Sequence, residues 1–292
     1  MGHRMNRKKS NCHLSLAEWR LLLRPRLLLM VCASTLTGTV LAPGSVSSWT
    51  VLQVVLAVGL LTAAGTLLNQ VQERGLDARM ERTRDRPLAT GRLAVPVALW
   101  LCAGLLLPGL LLLAGNPVAL GLGLLAVAWY NVVYTPLKRL TSLAVLPGAL
   151  CGALPPLIGW VAAGGGLLDR RVLLLSGLLV LWQVPHFMLL ALRYRDDYAR
   201  AGLPVFAAGL SEGGVLRVIS AWTLAAAFAA LAMAACGGTS GLSGRLLLPA
   251  LGSWLIYGFW RQARRGSLAP FFMRLNLFML LVLAALLADY LV

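Results

Sequence analysis

Residues 50–72 read TVLQVVLAVGLLTAAGTLLNQVQ and run on into Glu73-Arg74-Gly75-Leu76-Asp77. No residue from Thr50 to Leu68 is charged. At 1.5 Å per residue, such a run crosses the ~30 Å hydrocarbon core of a bilayer as one helix. Its hydrophobicity is continuous rather than alternating, which argues against a membrane β-strand. Eight other stretches read the same way: about 25–43, 96–114, 117–134, 142–163, 172–192, 214–236, 245–262 and 271–291. Together they predict an all-α, polytopic transmembrane bundle of about nine helices. Pro43-Gly44-Ser45, Gly115-Asn116-Pro117 and Gly164-Gly165-Gly166 mark turns between them.

The composition agrees. Of 292 residues, 59% are hydrophobic and 12% charged, more apolar surface than a soluble domain of this size can bury. The net charge of +16 does not point to nucleic acid. The basic residues cluster between apolar stretches instead of lining one solvated face. With the N-terminus in the cytoplasm, 23 of the 26 Lys and Arg fall on inner segments, and only Arg170, Arg171 and Arg245 on outer loops. Residues 1–19, with Arg4, Arg7, Lys8 and Lys9, read as a basic, flexible arm near anionic lipid, and residues 20–292 as a single transmembrane domain. No cleavable signal peptide is expected, because the first apolar segment lacks a small-residue cleavage motif. Cys12, Cys32, Cys102, Cys151 and Cys236 form no CxxC pair, so neither a disulfide framework nor a zinc site is expected.

The ten acidic residues are placed unevenly. Glu73, Asp77, Glu81 and Asp85 share one inner loop, and Asp196 and Asp197 another. Asn69, Glu73 and Asp77 recur at i, i+4, i+8, which stacks them on one helix face over about 12 Å. An amide oxygen and two carboxylates on one stripe suit Mg²⁺, which keeps waters and takes substrate phosphate oxygens. Gly75 is a point where that helix end is expected to loosen. The plainer reading is a solvated loop in which Arg74, Arg79, Arg82, Arg84 and Arg86 pair with the acids.

The second cluster, Arg193-Tyr194-Arg195-Asp196-Asp197-Tyr198, reads by itself as interfacial anchoring. Two such clusters on one membrane face suggest carboxylates that hold metal and cations that grip a polyanion. A diphosphate ester with a lipid tail satisfies both, its head at the inner boundary and its chain among the helices. A secondary transporter is the contrasting class. It would concentrate charge near the midplane and show matched broken helices, whereas here the charge lies at one boundary and no internal repeat is visible.

Three stretches resemble the UbiA superfamily of intramembrane prenyltransferases, and within it the branch that farnesylates protohaem IX. They are Asn69 to Glu73 continuing through Asp77 to Gly91, Tyr134-Thr-Pro-Leu-Lys138-Arg139 through Trp160, and Trp182-Gln-Val-Pro-His186-Phe187 leading to Asp196-Asp197 and Pro204. The resemblance spans about 20–290. Glu73 stands where the superfamily motif carries Asp, and the second acidic pair is adjacent rather than spaced by three. The resemblance implies transfer of a farnesyl group from farnesyl diphosphate to a vinyl group of haem B, with water addition, giving haem O and diphosphate. A quinone precursor or a chlorin is the alternative acceptor.

It further implies that Asn69, Glu73, Asp77, Asp196 and Asp197 hold Mg²⁺ and diphosphate. Arg79, Arg82, Arg86, Lys138, Arg139, Arg193 and Tyr194 would then bind phosphate oxygens or haem propionates. His186, in the sixth span after Pro185, is either a packed histidine bonded to a backbone carbonyl, an axial iron ligand, or a base for water addition. Membrane lipid, transient contact with haem A synthase or terminal-oxidase assembly, and a bacterial inner-membrane location with a cytoplasmic-face site complete the expectation.

Overall fold

The structure is a computed structural model that describes residues 14–206, 209–239, 241–266 and 268–291. The four cations of the basic arm lie outside these residues. All regular structure among the described residues is helical: α1 (Leu16–Leu23), α2 (Pro25–Val40), α3 (Ser48–Asp77), α4 (Val95–Leu113), α5 (Pro117–Ala128), α6 (Thr135–Leu137), α7 (Val145–Ala162), α8 (Arg170–Arg193), α9 (Arg195–Arg200), α10 (Glu212–Ala235), α11 (Leu242–Arg264) and α12 (Ala269–Leu291).

Helices stand at all nine expected places, but the number of membrane crossings does not follow. Seven are long and apolar enough, and an eighth arises if α1 and α2 form one span bent by 47°. At sixteen residues α2 rises only about 24 Å, short of the hydrocarbon core, so it needs α1 to complete a crossing. At the expected span near 245–262, α11 is long enough, but Arg245, Pro249, Gly252, Ser253, Tyr257 and Gly258 leave it less apolar than those seven. Helix α1 also begins inside the stretch read as a flexible arm. Ser15 and Glu18 close a capping box at its start, satisfying backbone N–H groups that an unfolded arm would leave to water.

The helices pack as a closed ring. Helix α3 lies against α2 and α4, α2 against α7, α7 against α8, α8 against α10, α10 against α11 and α11 against α12, which returns to α8 and α2. One apolar core lies among α8, α10, α11 and α12, and a second among α2, α3, α5 and α7. The α2–α7 crossing is close because a Cβ on Gly38 would lie 2.1 Å from the Pro156 carbonyl oxygen, and one on Gly159 2.4 Å from that of Thr35. Small residues let membrane helices approach in this way. Large apolar side chains such as Trp100, Leu111 and Leu143 face outward, as lipid contact requires.

Four polar contacts gather the charged loops at one end of the ring. Lys138 reaches α3 at Glu73, Arg139 reaches the Gln72 carbonyl, Asp197 of α9 reaches the loop after α3, and Arg92 pairs with Glu18 of α1.

Candidate active site

Helix α3 continues without a break through Gly75 to Asp77, so Gly75 does not loosen it. The continuity keeps Asn69, Glu73 and Asp77 on one stripe, and all three are buried. Asn69 Nδ2 donates to Thr135 Oγ1 at 3.0 Å, and that hydroxyl donates to the Tyr130 carbonyl at 2.8 Å. The amide is thereby oriented, and its Oδ1 has no hydrogen-bond partner among the described residues. Thr135 follows a π-helical turn, Trp129–Tyr134. A turn of this kind re-aims side chains and is frequent at functional sites.

Each buried carboxylate has a cation. Lys138 Nζ lies 2.6 Å from Glu73 Oε2, and an Arg86 guanidinium nitrogen 2.7 Å from Asp77 Oδ2. Thr83 donates to the Asp77 carbonyl at 3.0 Å and fixes the turn that returns Arg86 to α3. Burial pushes Arg86 down to about 10, helped by the nearby Arg24 charge and opposed by Asp77. Lys138 is also lowered by burial, while Glu73 pulls it back. Glu73 Oε1 is buried with no hydrogen-bond partner among the described residues, an expensive state for a carboxylate oxygen.

These residues fit Mg²⁺. Among the described residues no three of His, Cys, Asp and Glu converge into a complete metal cage. Mg²⁺ does not need one, since one or two carboxylates suffice when phosphate oxygens and water fill its octahedron. The orphaned Glu73 Oε1 and the free Asn69 Oδ1 are hard donors of the required kind.

The second acidic cluster meets the first through the loop that follows α3. Asp197 is buried and accepts from the backbone N–H groups of Glu81 (3.1 Å) and Arg82 (3.3 Å) and from Arg200. Burial opposes its charge, but Arg200 and the two peptide groups outweigh that and hold its carboxyl below the ordinary range. Asp197 therefore clasps the loop, whereas Asp196 is exposed beside it. Arg200, which also reaches Glu81 at 3.4 Å, was not anticipated. Its position one turn after Asp197 is the available signal. Thr135 was likewise missed, although it sits inside the Tyr134–Arg139 stretch.

The remaining cations are more peripheral. Arg82 lies 5.0 Å over the Tyr194 ring and Arg193 5.8 Å from it, so Tyr194 is a platform for two guanidinium groups. Arg139 is exposed and donates to the Gln72 carbonyl at 2.8 Å, and Arg79 is exposed.

Below Lys138 an aromatic ladder runs into the bundle. The Lys138 ammonium stands 6.0 Å over Tyr134, which stacks on Tyr130 (5.8 Å) and Phe187 (6.2 Å). Phe187 meets His186 edge-on, and that imidazole lies 5.0 Å from both Trp182 and Phe272. His186 Nδ1 is buried with no partner among the described residues, while the Asn276 side chain hydrogen-bonds the imidazole, as a packed histidine would be held. Gly148 and Gly152 of α7 make room for Tyr134 and Gln183, whose side chains occupy the space a Cβ would need.

The UbiA prenyltransferase family profile matches residues 31–282. A protein of Geobacter sulfurreducens named protoheme IX farnesyltransferase is 46% identical over 236 residues, which cover 80% of this chain and 84% of that one. One of the same name from Anaeromyxobacter sp. is 39% identical, covering 91% of each. The solved structure of a UbiA homolog from Archaeoglobus fulgidus bound to GPP and Mg²⁺ superposes with a TM-score of 0.72 at 16% identity, covering 94% of this chain and all of that one.

Proposed function

Because the chain belongs to the UbiA prenyltransferase family, we propose that it transfers a farnesyl group from farnesyl diphosphate to a vinyl group of haem B, with addition of water, giving haem O and diphosphate. The observation that carries this is the pair of buried carboxylate–cation contacts, Glu73–Lys138 and Asp77–Arg86, set at the head of the Tyr134–Phe187–His186 ladder. Two cations thus stand at the head of an aromatic ladder that runs into the bundle. Relatives matched over 84% and 91% of their length are named protoheme IX farnesyltransferase.

The residues divide the work. Asn69, Glu73 and Asp77 would hold Mg²⁺; Asp197 is engaged in clasping the loop after α3, and exposed Asp196 would be the further metal-side carboxylate. When bound, the metal supplies positive charge against the leaving diphosphate. Lys138 and Arg86 supply preorganised cations for the same oxygens. Arg82, Arg193 and Tyr194 extend that grip at the loop, with Arg79 and Arg139 at its rim. As the C–O bond breaks, its electron pair departs with the diphosphate and leaves an allylic cation. The π-faces of Tyr134 and Phe187 stabilise that cation, and the apolar walls keep water from capturing it early. The vinyl π-electrons then form the new C–C bond. Water captures the porphyrin-side cation and loses a proton. His186, whose Nδ1 has no partner among the described residues, would serve the acceptor as iron ligand or base.

We place the chain in the bacterial inner membrane with this end in the cytoplasm, where farnesyl diphosphate is soluble. Its product would be handed to haem A synthase or terminal-oxidase assembly. The test is mass spectrometry of haems from a host lacking its own enzyme, with and without this gene. Haem O is expected only when the gene is present. A host that accumulates prenylated quinone or chlorin and no haem O would reject the proposed acceptor.

A further inference from the structure

Two hydrogen-bond acceptors on α8 stand without a partner. Gln183 Oε1 and His186 Nδ1 are both buried, and among the described residues neither accepts a hydrogen bond. A buried acceptor left in this way is unfavourable, and an apolar side chain would pack there without that cost. Folding alone therefore gives no reason for either.

The two are three positions apart, one turn along the helix and about 60° around its axis. Gln183 is turned toward α7, where a Cβ on Gly152 would collide with its Oε1, so the glycine leaves the space that the amide oxygen occupies. His186 is turned toward α12, its ring 5.0 Å from that of Phe272. Phe187, four positions after Gln183, stacks on Tyr134 at 6.2 Å. The orphaned pair thus sits on the α8 face between α7 and α12, beside the rings to which the proposed reaction assigns the allylic cation.

Asn276 fixes which kind of group His186 presents. Its side chain hydrogen-bonds the imidazole, while its own Nδ2 donates to the Phe272 carbonyl at 2.6 Å. Oδ1 is the atom left for the ring, which must then offer an N–H. Because Nδ1 has no partner, that N–H is Nε2, and Nδ1 carries a lone pair. Gln183 Oε1 and His186 Nδ1 are therefore two acceptors with no donor between them. Water is their complement: its two O–H groups donate to both while its oxygen lone pairs stay available.

We propose that Gln183 and His186 together hold the water that adds to the acceptor, Gln183 orienting it and His186 Nδ1 taking its proton. The inference rests on the farnesyl-to-haem reading above. Once the vinyl group has formed the C–C bond, the adjoining porphyrin-side carbon bears the positive charge. A lone pair of the held water forms the C–O bond there. The O–H bond aimed at His186 breaks, its electron pair stays on oxygen, and its proton passes to Nδ1. Without a held water the same cation loses a proton from the neighbouring CH₂, whose C–H pair becomes a C=C bond. The product is then an alkene lighter by one water. Gln183 thus decides which product forms rather than how fast the prenyl group is transferred, because the C–C bond precedes the addition.

The test supplies the full chain in membranes with Mg²⁺, farnesyl diphosphate and haem B, and reads the porphyrin products by mass spectrometry. Gln183→Met fills a similar volume without the acceptor. It should raise the ratio of dehydrated to hydroxylated product about ten-fold, with total farnesylated haem and the KM for farnesyl diphosphate little changed. Gln183→Glu restores an oxygen at the same place and should return the product to haem O. Gly152→Ala keeps the amide but pushes its oxygen aside, since the atom met is the tip of a flexible side chain, and should shift the product as Gln183→Met does. An unchanged product ratio in Gln183→Met would overturn the inference alone. A raised haem KM with the product still hydroxylated would also overturn it, as would equal loss of both products with a lowered thermal midpoint. If the wild-type chain farnesylates no haem, the reaction itself is rejected and this inference falls with it.

Discussion

At the scale of single residues, the site is governed by the cost of buried charge. Asp77 and Arg86 are both nearly inaccessible, and each is tolerable because the other is 2.7 Å away. Such a pair adds little net stability, because desolvation offsets most of the attraction. In the proposed reaction its value would be positional, since it would present a carboxylate and a guanidinium side by side to an incoming metal–diphosphate group. Asp77→Asn keeps the shape and an oxygen to accept from Arg86 but removes the charge. It should abolish haem O formation while the protein still purifies from the membrane as a folded species. Turnover of the purified variant at the wild-type rate would remove Asp77 from the site. The i, i+4, i+8 stripe was legible in the sequence because a helix fixes side-chain direction by spacing alone. The engagement of Asp197 with two peptide N–H groups was not, because those donors belong to a loop more than a hundred residues away in the chain.

At the scale of elements, the α2–α7 crossing sets how closely the two halves of the ring approach. Alanine is favoured over glycine within a helix by about 1 kcal/mol, so replacing a helical glycine normally helps. At Gly38 the new Cβ would meet the Pro156 backbone at 2.1 Å, and backbone cannot step aside as a side chain can. Forced overpacking costs about 1–3 kcal/mol, so the clash outweighs the propensity gain. Gly38→Ala should lower the thermal midpoint in detergent, whereas Gly104→Ala in α4, with nothing within 4 Å, should leave it unchanged or raise it. Equal behaviour of the two variants would show that the crossing is looser than described. The sequence shows that both positions are glycine. It does not show which one faces a neighbouring backbone, because that depends on helix rotation and on the partner helix.

At the scale of the whole molecule, the charged loops form one pole and the ring of helices excludes charge below it. Among the described residues Asp169, Arg170, Arg171, Arg245 and Asp289 are the exceptions, at the ends of α8, α11 and α12 away from the site. The Lys/Arg imbalance predicts that the site pole faces the cytoplasm. A single cysteine at exposed Arg84, in a chain whose own cysteines are replaced, should resist a membrane-impermeant thiol reagent in intact cells and react after permeabilisation. Labelling in intact cells would invert the topology.

The sequence by itself determined the class of fold, the approximate places of the helices and the pole at which the charged loops gather. These follow from local quantities, namely run length, hydrophobicity, residue spacing and charge balance, that need no knowledge of contacts. Tertiary structure alone decided that Glu73 belongs to Lys138 and Asp77 to Arg86, that Thr135 orients Asn69, and that Asp197 clasps the loop after α3. Pairing of this kind is set by the distance between side chains on different helices, and that distance exists only once the helices have packed.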